Sequence, residues 1–317
     1  HRGIVFGFWS AHSFGRFAGS AWYADTHWND LRDNAVAYLH LDLNGLKGAD
    51  RLWYQHMAEL EDEQIDVLET HSGVPVDTDA GHEAEGAAQW EAEDRPGRAA
   101  DQSFWGAGLS SVFCGLRLES GTPTGGPIGG GWWWHTAEDT RDKVDTDVLV
   151  EETGLYVALV SRICGSAILP HDFSSTVRDF ESTIDEIESV ARGEAAFDEL
   201  RGALDELGRN LEIATDLLVE EARRSTGVFR PGEDLQVRLG NLLIPALYMD
   251  RQDTEHEPAL PHRLLPCLRP AETLPDLSGP QRRFAEVGLT RSRAKLLHRL
   301  SRANEAVEGF IRSHQDQ

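Results

Sequence analysis

The sequence predicts an α/β domain built on a mostly parallel sheet flanked by helices, followed by an all-helical bundle. Three observations carry this reading. Apolar runs of strand length recur in the first half, separated by helical patterns, which is the signature of strand–helix–strand units. Strand signals vanish past Pro170. Beyond it, apolar residues step by three and four, the spacing of one helix face. The division falls at 168/169: residues 1–168 are expected to form the α/β part and residues 169–317 the helical part.

In chain order, residues 3–9 (Ile4, Val5, Phe6, Phe8 and Trp9) read as a buried strand, and Gly19 to Arg32 as a helix. "AVAYLHLDL", 35–43, alternates as a second strand. Leu52 to Leu68 reads as helix, and residues 70–100 are polar and loop-like. "LSSVFCGLRL", 109–118, is the third strand, with the Gly/Pro-rich "SGTPTGGPIGGG" behind it. Asp145 or Thr146 is placed to cap an apolar helix over 147–167. In the second half, Phe197, Leu200, Leu204, Leu207, Leu211, Ala214 and Leu218 make one stripe, and Leu296, Leu300, Ala303, Val307 and Phe310 another. Such stripes are either bundle core or an oligomer contact. Residues 233–248 give a further helix, and 251–280 is a Pro-rich irregular stretch.

The 317 residues carry a net charge of -24, and only Lys47, Lys143 and Lys295 of the 30 basic residues are lysines. A field of that sign repels nucleic acid and anionic membranes, so neither is an expected partner. An acidic surface poor in lysine suggests salt adaptation of the halophilic kind. Cys114, Cys164 and Cys267 form neither a C-x-x-C pair nor a disulfide framework. No apolar stretch reaches the roughly 20 residues of a membrane span. The chain opens on His1 and enters a strand almost at once, so upstream sequence is expected. A cytoplasmic setting is favoured, with a signal peptide upstream left open.

Reactive residue types concentrate in three places. The first is the turn "SAHSFG", with His12 and Ser13. The second is "YLHLDLNG", where strand alternation puts His40, Asp42 and Asn44 on one face and Asp42 at the end of a parallel strand, where α/β folds place ligands. "DLNG" also reads as a local Asp/Asn turn. The third is "GGGWWWHTAEDTRDK". Trp132, Trp133 and Trp134 supply a stiff apolar wall for a substrate pocket, and His135 stands at its edge as a candidate metal ligand with Glu138 or Asp139 beside it. Thr136 with Asp139 also has the form of a capping motif.

Two chemistries fit the opening turn. "AHSFG" has the form of a nucleophile elbow, and the order Ser13, Asp101, His135 suits a serine hydrolase. Against this, Ala11 stands where the first Gly belongs, and several residues separate Ser13 from the helix. Four segments in order support the other reading: "RGIVFGFWSAHSFGRFAGSAWYA", "VAYLHLDLNG", "DQSFWGAGLSSVF" and "WWWHTAEDTRDKVD". Together they resemble the zinc aminopeptidase and glutamate-carboxypeptidase family, which also contains the transferrin receptor. "ICGSAILPHDFSSTVRDFESTIDEI" and the helices after it are similar to its dimerisation domain, so the likeness spans nearly the whole chain.

The resemblance implies a zinc-exopeptidase type of fold, one or two zinc ions, and a homodimer through the helical half. It implies Asp42 and His135 as metal ligands, with His40, Asp101 and Asp139 as supports. The family's further His and bridging Asp lie upstream of this chain, which again implies an N-terminal truncation. Its paired glutamates, one the general base and one a ligand, fall on His12 and Ser13, or on Ser13 and Phe14, so no carboxylate is present. His12 would then have to serve as base or ligand, since imidazole does both. The expected function is a metal-dependent exopeptidase-like hydrolase acting on peptides or acylated amino acids. The alternatives are a catalytically inactive peptidase-fold protein serving as a dimeric binding or scaffold module, and a serine hydrolase using Ser13.

Overall fold

Among the described residues, four strands form one mixed sheet in the order β1-β4-β2-β3: β1 (Ala37–His40), β2 (Arg51–His56), β3 (Glu91–Ala92) and β4 (Ser110–Arg117). This is a computed structural model; it describes residues 2–9, 17–73, 76, 91–92, 102–224, 231–250, 252–255 and 263–315. β1 runs parallel to β4 and β2 parallel to β3, but the longest pairing, β2 with β4 from Arg51↔Arg117 to His56↔Val112, is antiparallel.

The expected fold class is therefore corrected. A mostly parallel sheet of zinc-exopeptidase type is not what the described residues form: the sheet is small and mixed, and helices dominate. Two segments account for the difference. Leu52 to His56, expected as the start of a helix, belongs to strand Arg51–His56, whose Leu52 and Tyr54 face the same apolar cluster as Val112, Cys114 and Leu116. Trp53, between them, sits under the Arg117 guanidinium, 3.3 Å from its ring centroid, and meets Phe113 edge-on at 4.4 Å. With both faces covered by aromatic or apolar groups, the period of two is hidden in the sequence. Residues 3–9, expected as a buried strand, belong to none of the strands. Ile4, Val5, Phe6 and Phe8 are exposed, Phe8 at 90%. Trp9 alone turns inward, donating from Nε1 to the Tyr38 hydroxyl at 3.1 Å.

The helix expected over Gly19–Arg32 is two helices, α1 (Ala18–Thr26) and α2 (Trp28–Asn34), broken at His27. They pack with α4 (Gln102–Trp105) around Ala24, Phe104 and Leu109. On one side of the sheet lie α3 (Glu61–Ser72) and α5 (Thr146–Gly165). Asp145 caps α5, its carboxylate accepting from the N–H groups of Asp147 (2.9 Å) and Val148 (3.4 Å). A carboxylate there satisfies donors that the first helical turn leaves without partners.

The described residues that follow include α6 (Phe173–Val190), α7 (Asp198–Arg224), α8 (Pro231–Tyr248) and α9 (Gly279–Gln315). Both apolar stripes are interior to this bundle: Leu200, Leu204, Leu207 and Leu211 of α7 share one core with Leu296, Leu300 and Val307 of α9. They are bundle core and not an oligomer contact. The core also takes in Met57 and Trp105, so the bundle is continuous with the sheet region. No helix among the described residues is long and apolar enough to cross a membrane.

Candidate functional site

β1 stops pairing at His40↔Phe113, while β4 continues to Arg117. The edge this leaves on β4 is filled from α5 by two side chains one helical turn apart. The Tyr156 hydroxyl donates its shared proton to the carbonyls of His40 (2.5 Å) and Cys114 (3.0 Å) and accepts from the Cys114 N–H (3.3 Å). The buried Glu152 carboxylate accepts from Leu116 N–H (2.7 Å) and from Gly45 N–H (2.5 Å). Burial raises the Glu152 pKa, and the backbone N–H groups of Leu116 and Gly45 oppose that rise. A Cβ at Gly115 would lie 2.6 Å from Glu152 Oε1, so the strand needs glycine there. Burial also pushes the Cys114 thiol up to about 12, which keeps it protonated and unreactive at neutral pH.

Glu152 thus fixes the turn that follows β1, and a second set of bonds zips that turn to the loop before α5. Gly45 C=O accepts from Asp145 N–H (2.8 Å), Lys143 C=O accepts from Lys47 N–H (2.9 Å), and Leu46 and Val144 form an antiparallel bridge. The glycine-rich loop is tightly folded. Leu118 N–H donates to Gly129 C=O (2.9 Å) and Gly131 N–H to Gly125 C=O (2.9 Å). Gly131 has φ 88°, and a Cβ there would sit 2.4 Å from the Trp133 indole.

The two loops meet at Gly130, whose Cβ, if it had one, would touch Trp134 Cγ at 3.3 Å and Leu43 Cδ1 at 3.4 Å. Here the backbone is strained on both sides. Leu43, next to Asp42, has φ 63°, and His135, next to Trp134, has φ 61°. A β-carbon makes the left-handed region unfavourable, and residues held in it cluster at ligand sites.

The individual side chains are placed as follows. Asp42 is exposed, with Oδ1 accepting from Leu43 N–H at 2.9 Å, the local turn that "DLNG" suggests. His135 is exposed and stacks on Trp134 at 3.6 Å. Trp133 is buried in the sheet cluster, whereas Trp132, edge-on to it at 5.8 Å, is 50% exposed. The three tryptophans therefore divide between core and surface. Asp139 is exposed in the turn after His135, its N–H donating to Thr136 C=O at 3.3 Å. Nearby Asp142 is held down to about 2, first by its hydrogen bond from Lys143 and then by that from Thr140. His40 is buried against Phe113, rings at 4.4 Å. Because β1 ends at His40, alternation does not carry through to Asp42 and Asn44. His12, Ser13 and Asp101 lie outside the described residues.

Sequence reasoning missed Glu152 and Tyr156. Their signal was an acid on the apolar face of "LVEETGLYVALV", where a carboxylate is costly without partners.

A zinc site takes three protein ligands at least. Asp42 and His135 supply two candidates, and among the described residues no group of three His, Cys, Asp or Glu is placed to hold a metal. The described residues therefore fall short of a zinc set, and no chemical step is assigned to a metal. In comparison with known proteins, no family model matches the chain, and no curated protein matches it significantly.

Proposed function

We propose that the protein binds a small peptide or acylated amino acid at the end of β1. The observation that supports this most directly is the convergence on Gly130 of two turns, each with a non-glycine residue in the left-handed region, beside exposed Asp42, Trp132 and His135. The chemistry is complementary to such a ligand. The Asp42 carboxylate pairs with a free ammonium, the exposed Trp132 indole covers an apolar side chain, and the His135 imidazole exchanges hydrogen bonds with an amide or carboxylate. Titration of tryptophan fluorescence with dipeptides and N-acyl amino acids tests it. Binding is expected in the millimolar range or tighter, weakened about tenfold by Asp42→Asn, a single charge-assisted contact, for ligands with a free amine. Absence of any fluorescence or calorimetric response sinks the reading.

A second reading, metal-dependent removal of a terminal residue from such ligands, needs at least one ligand beyond exposed Asp42 and His135, which the described residues do not supply. Elemental analysis of protein purified in high KCl decides between them. Zinc, cobalt or manganese at about one ion per chain, with turnover, supports the hydrolase; metal-free protein that binds without turnover supports the binding module.

A further inference from the structure

We propose that the junction between β1 and the start of α6 is an acid-sensitive latch, held shut by neutral His171 and released when its imidazole gains a second proton. The inference is independent of the ligand site.

His171 lies two residues before α6, buried, with its ring stacked on Phe173 at 6.0 Å between centroids. Its Nε2 is 3.1 Å from Val36 C=O, immediately before β1. A carbonyl only accepts, so Nε2 carries the proton and Nδ1 is a bare lone pair. Nδ1 is buried and has no hydrogen-bond partner among the described residues. A proton added there would create a buried cation with an N–H that no described acceptor meets.

The neighbouring bonds make this a joint between parts of the fold. Gln236 of α8 donates to Leu169 C=O (2.7 Å) and His171 C=O (3.2 Å) and accepts from Leu169 N–H (3.0 Å). Asp172 N–H donates to Glu59 C=O (2.9 Å), and Thr176 donates to the Glu59 carboxylate (3.0 Å).

Of the charged groups around the joint, Arg2 is the one that acts on the imidazole, and it opposes the extra proton. Arg2 is itself a cation, paired with Glu233 at 2.8 Å and donating to Ile163 C=O at 2.6 Å. The Asp172 carboxylate is engaged by Ser174 N–H (2.9 Å) and Ser175 Oγ (2.8 Å) and pairs with Arg178 at 3.6 Å, and that of Glu59 accepts from Thr176. Burial, with Arg2 adding to it against the bond to Val36, takes the imidazole from 6.5 down to about 4. The sign follows: between those values the open form binds a proton that the closed form does not. The open-to-closed ratio therefore climbs as pH falls through this window, by roughly 300-fold in all.

Hydrogen exchange resolved by segment, corrected for intrinsic rates, tests the latch from pH 7 to pH 4. Exchange in 168–177 and 36–40 is expected to rise up to about 300-fold while the cores of α7 and α9 stay protected. In His171→Gln, which keeps a donor for Val36 but does not titrate, the rise is expected to vanish. The same rise in His171→Gln, or none in the wild type, overturns the proposal. Should that variant fail to fold, Arg2→Gln serves in its place: with the neighbouring cation gone the closed form accepts the proton more readily, so the window narrows from its acid end and the total rise must be smaller than in the wild type, and an undiminished rise overturns the latch equally.

Discussion

In the bundle, Leu200, Leu204, Leu207 and Leu211 meet Leu296, Leu300 and Val307, and what holds them is side chain against side chain. Around the sheet, the end of β1 is held by Glu152 and Tyr156 bonding to backbone, with Gly115 of β4 leaving room for Glu152 and Gly131 of the loop leaving room for Trp133. The first kind of order depends on apolar volume at helical spacing. The second depends on single atoms, and Leu43 and His135, both in the left-handed region, lie there beside exposed Asp42 and Trp132. A rigid helical scaffold beside a backbone-fixed loop pair is what a binding site on loops requires.

The largest expected effect breaks the bundle side of that contrast. Phe180 of α6 is fully buried in the core. Phe180→Ala should cost about 4 kcal/mol, lost transfer free energy plus the cavity left behind. Urea denaturation measures it; a loss below about 1 kcal/mol would mean the bundle collapses around the gap and is not close-packed.

A glycine pair sharpens the comparison next. Gly131→Ala adds a Cβ at φ 88° and into the Trp133 ring, and should cost about 2 kcal/mol with a changed near-ultraviolet tryptophan signal. Gly309→Ala, in α9 with nothing within 4 Å of the new Cβ, should instead stabilise by about 0.5–1 kcal/mol through helix propensity. Equal effects at the two positions would remove the distinction between the regions.

The same contrast decides what the sequence made legible. The α7 and α9 stripes could be read because a period of 3.6 needs only residue types, and every stripe residue from Leu200 to Leu218 is buried. A cap at Asp145 or Thr146 could be read for the same reason, a local signal with a local partner, and Asp145 is the residue that takes the place. Arg51–His56 could not, because Trp53 on the second face is covered by Arg117 and Phe113, contacts made only after folding. Nor could residues 3–9, whose apolar run looks like a buried strand while Ile4, Val5, Phe6 and Phe8 are exposed. At the site, the neighbourhood of Asp42 with "GGGWWWH" was legible as unusual composition. Glu152 announced itself only as an acid on an apolar helix face, without its partners Leu116 and Gly45, and the division of Trp132 from Trp133 between surface and core is a long-range outcome that no residue pattern announces.

The smallest expected effect lies on the outside of the bundle, where charge takes the place of volume. Glu186 of α6 pairs with Arg263 and, at 2.9 Å, with Arg269, and both arginines also pair with Glu272, at 3.0 and 2.6 Å. Hydrogen bonding from Arg269 is the main cause that holds the Glu186 carboxyl below its ordinary 4.5. Its folded value is depressed, so its contribution is present above pH 4.5 and is lost as pH falls through the lowered value. Glu186→Gln should therefore cost about 0.5–1 kcal/mol at neutral pH and low salt, for a half-exposed network. The difference should shrink both with acid and with salt, which screens exposed pairs. Denaturation midpoints for the two proteins across pH and KCl concentration check this. A cost that grew with salt would mean Glu186 acts through packing, and the surface of the bundle would then obey the same rule as its core.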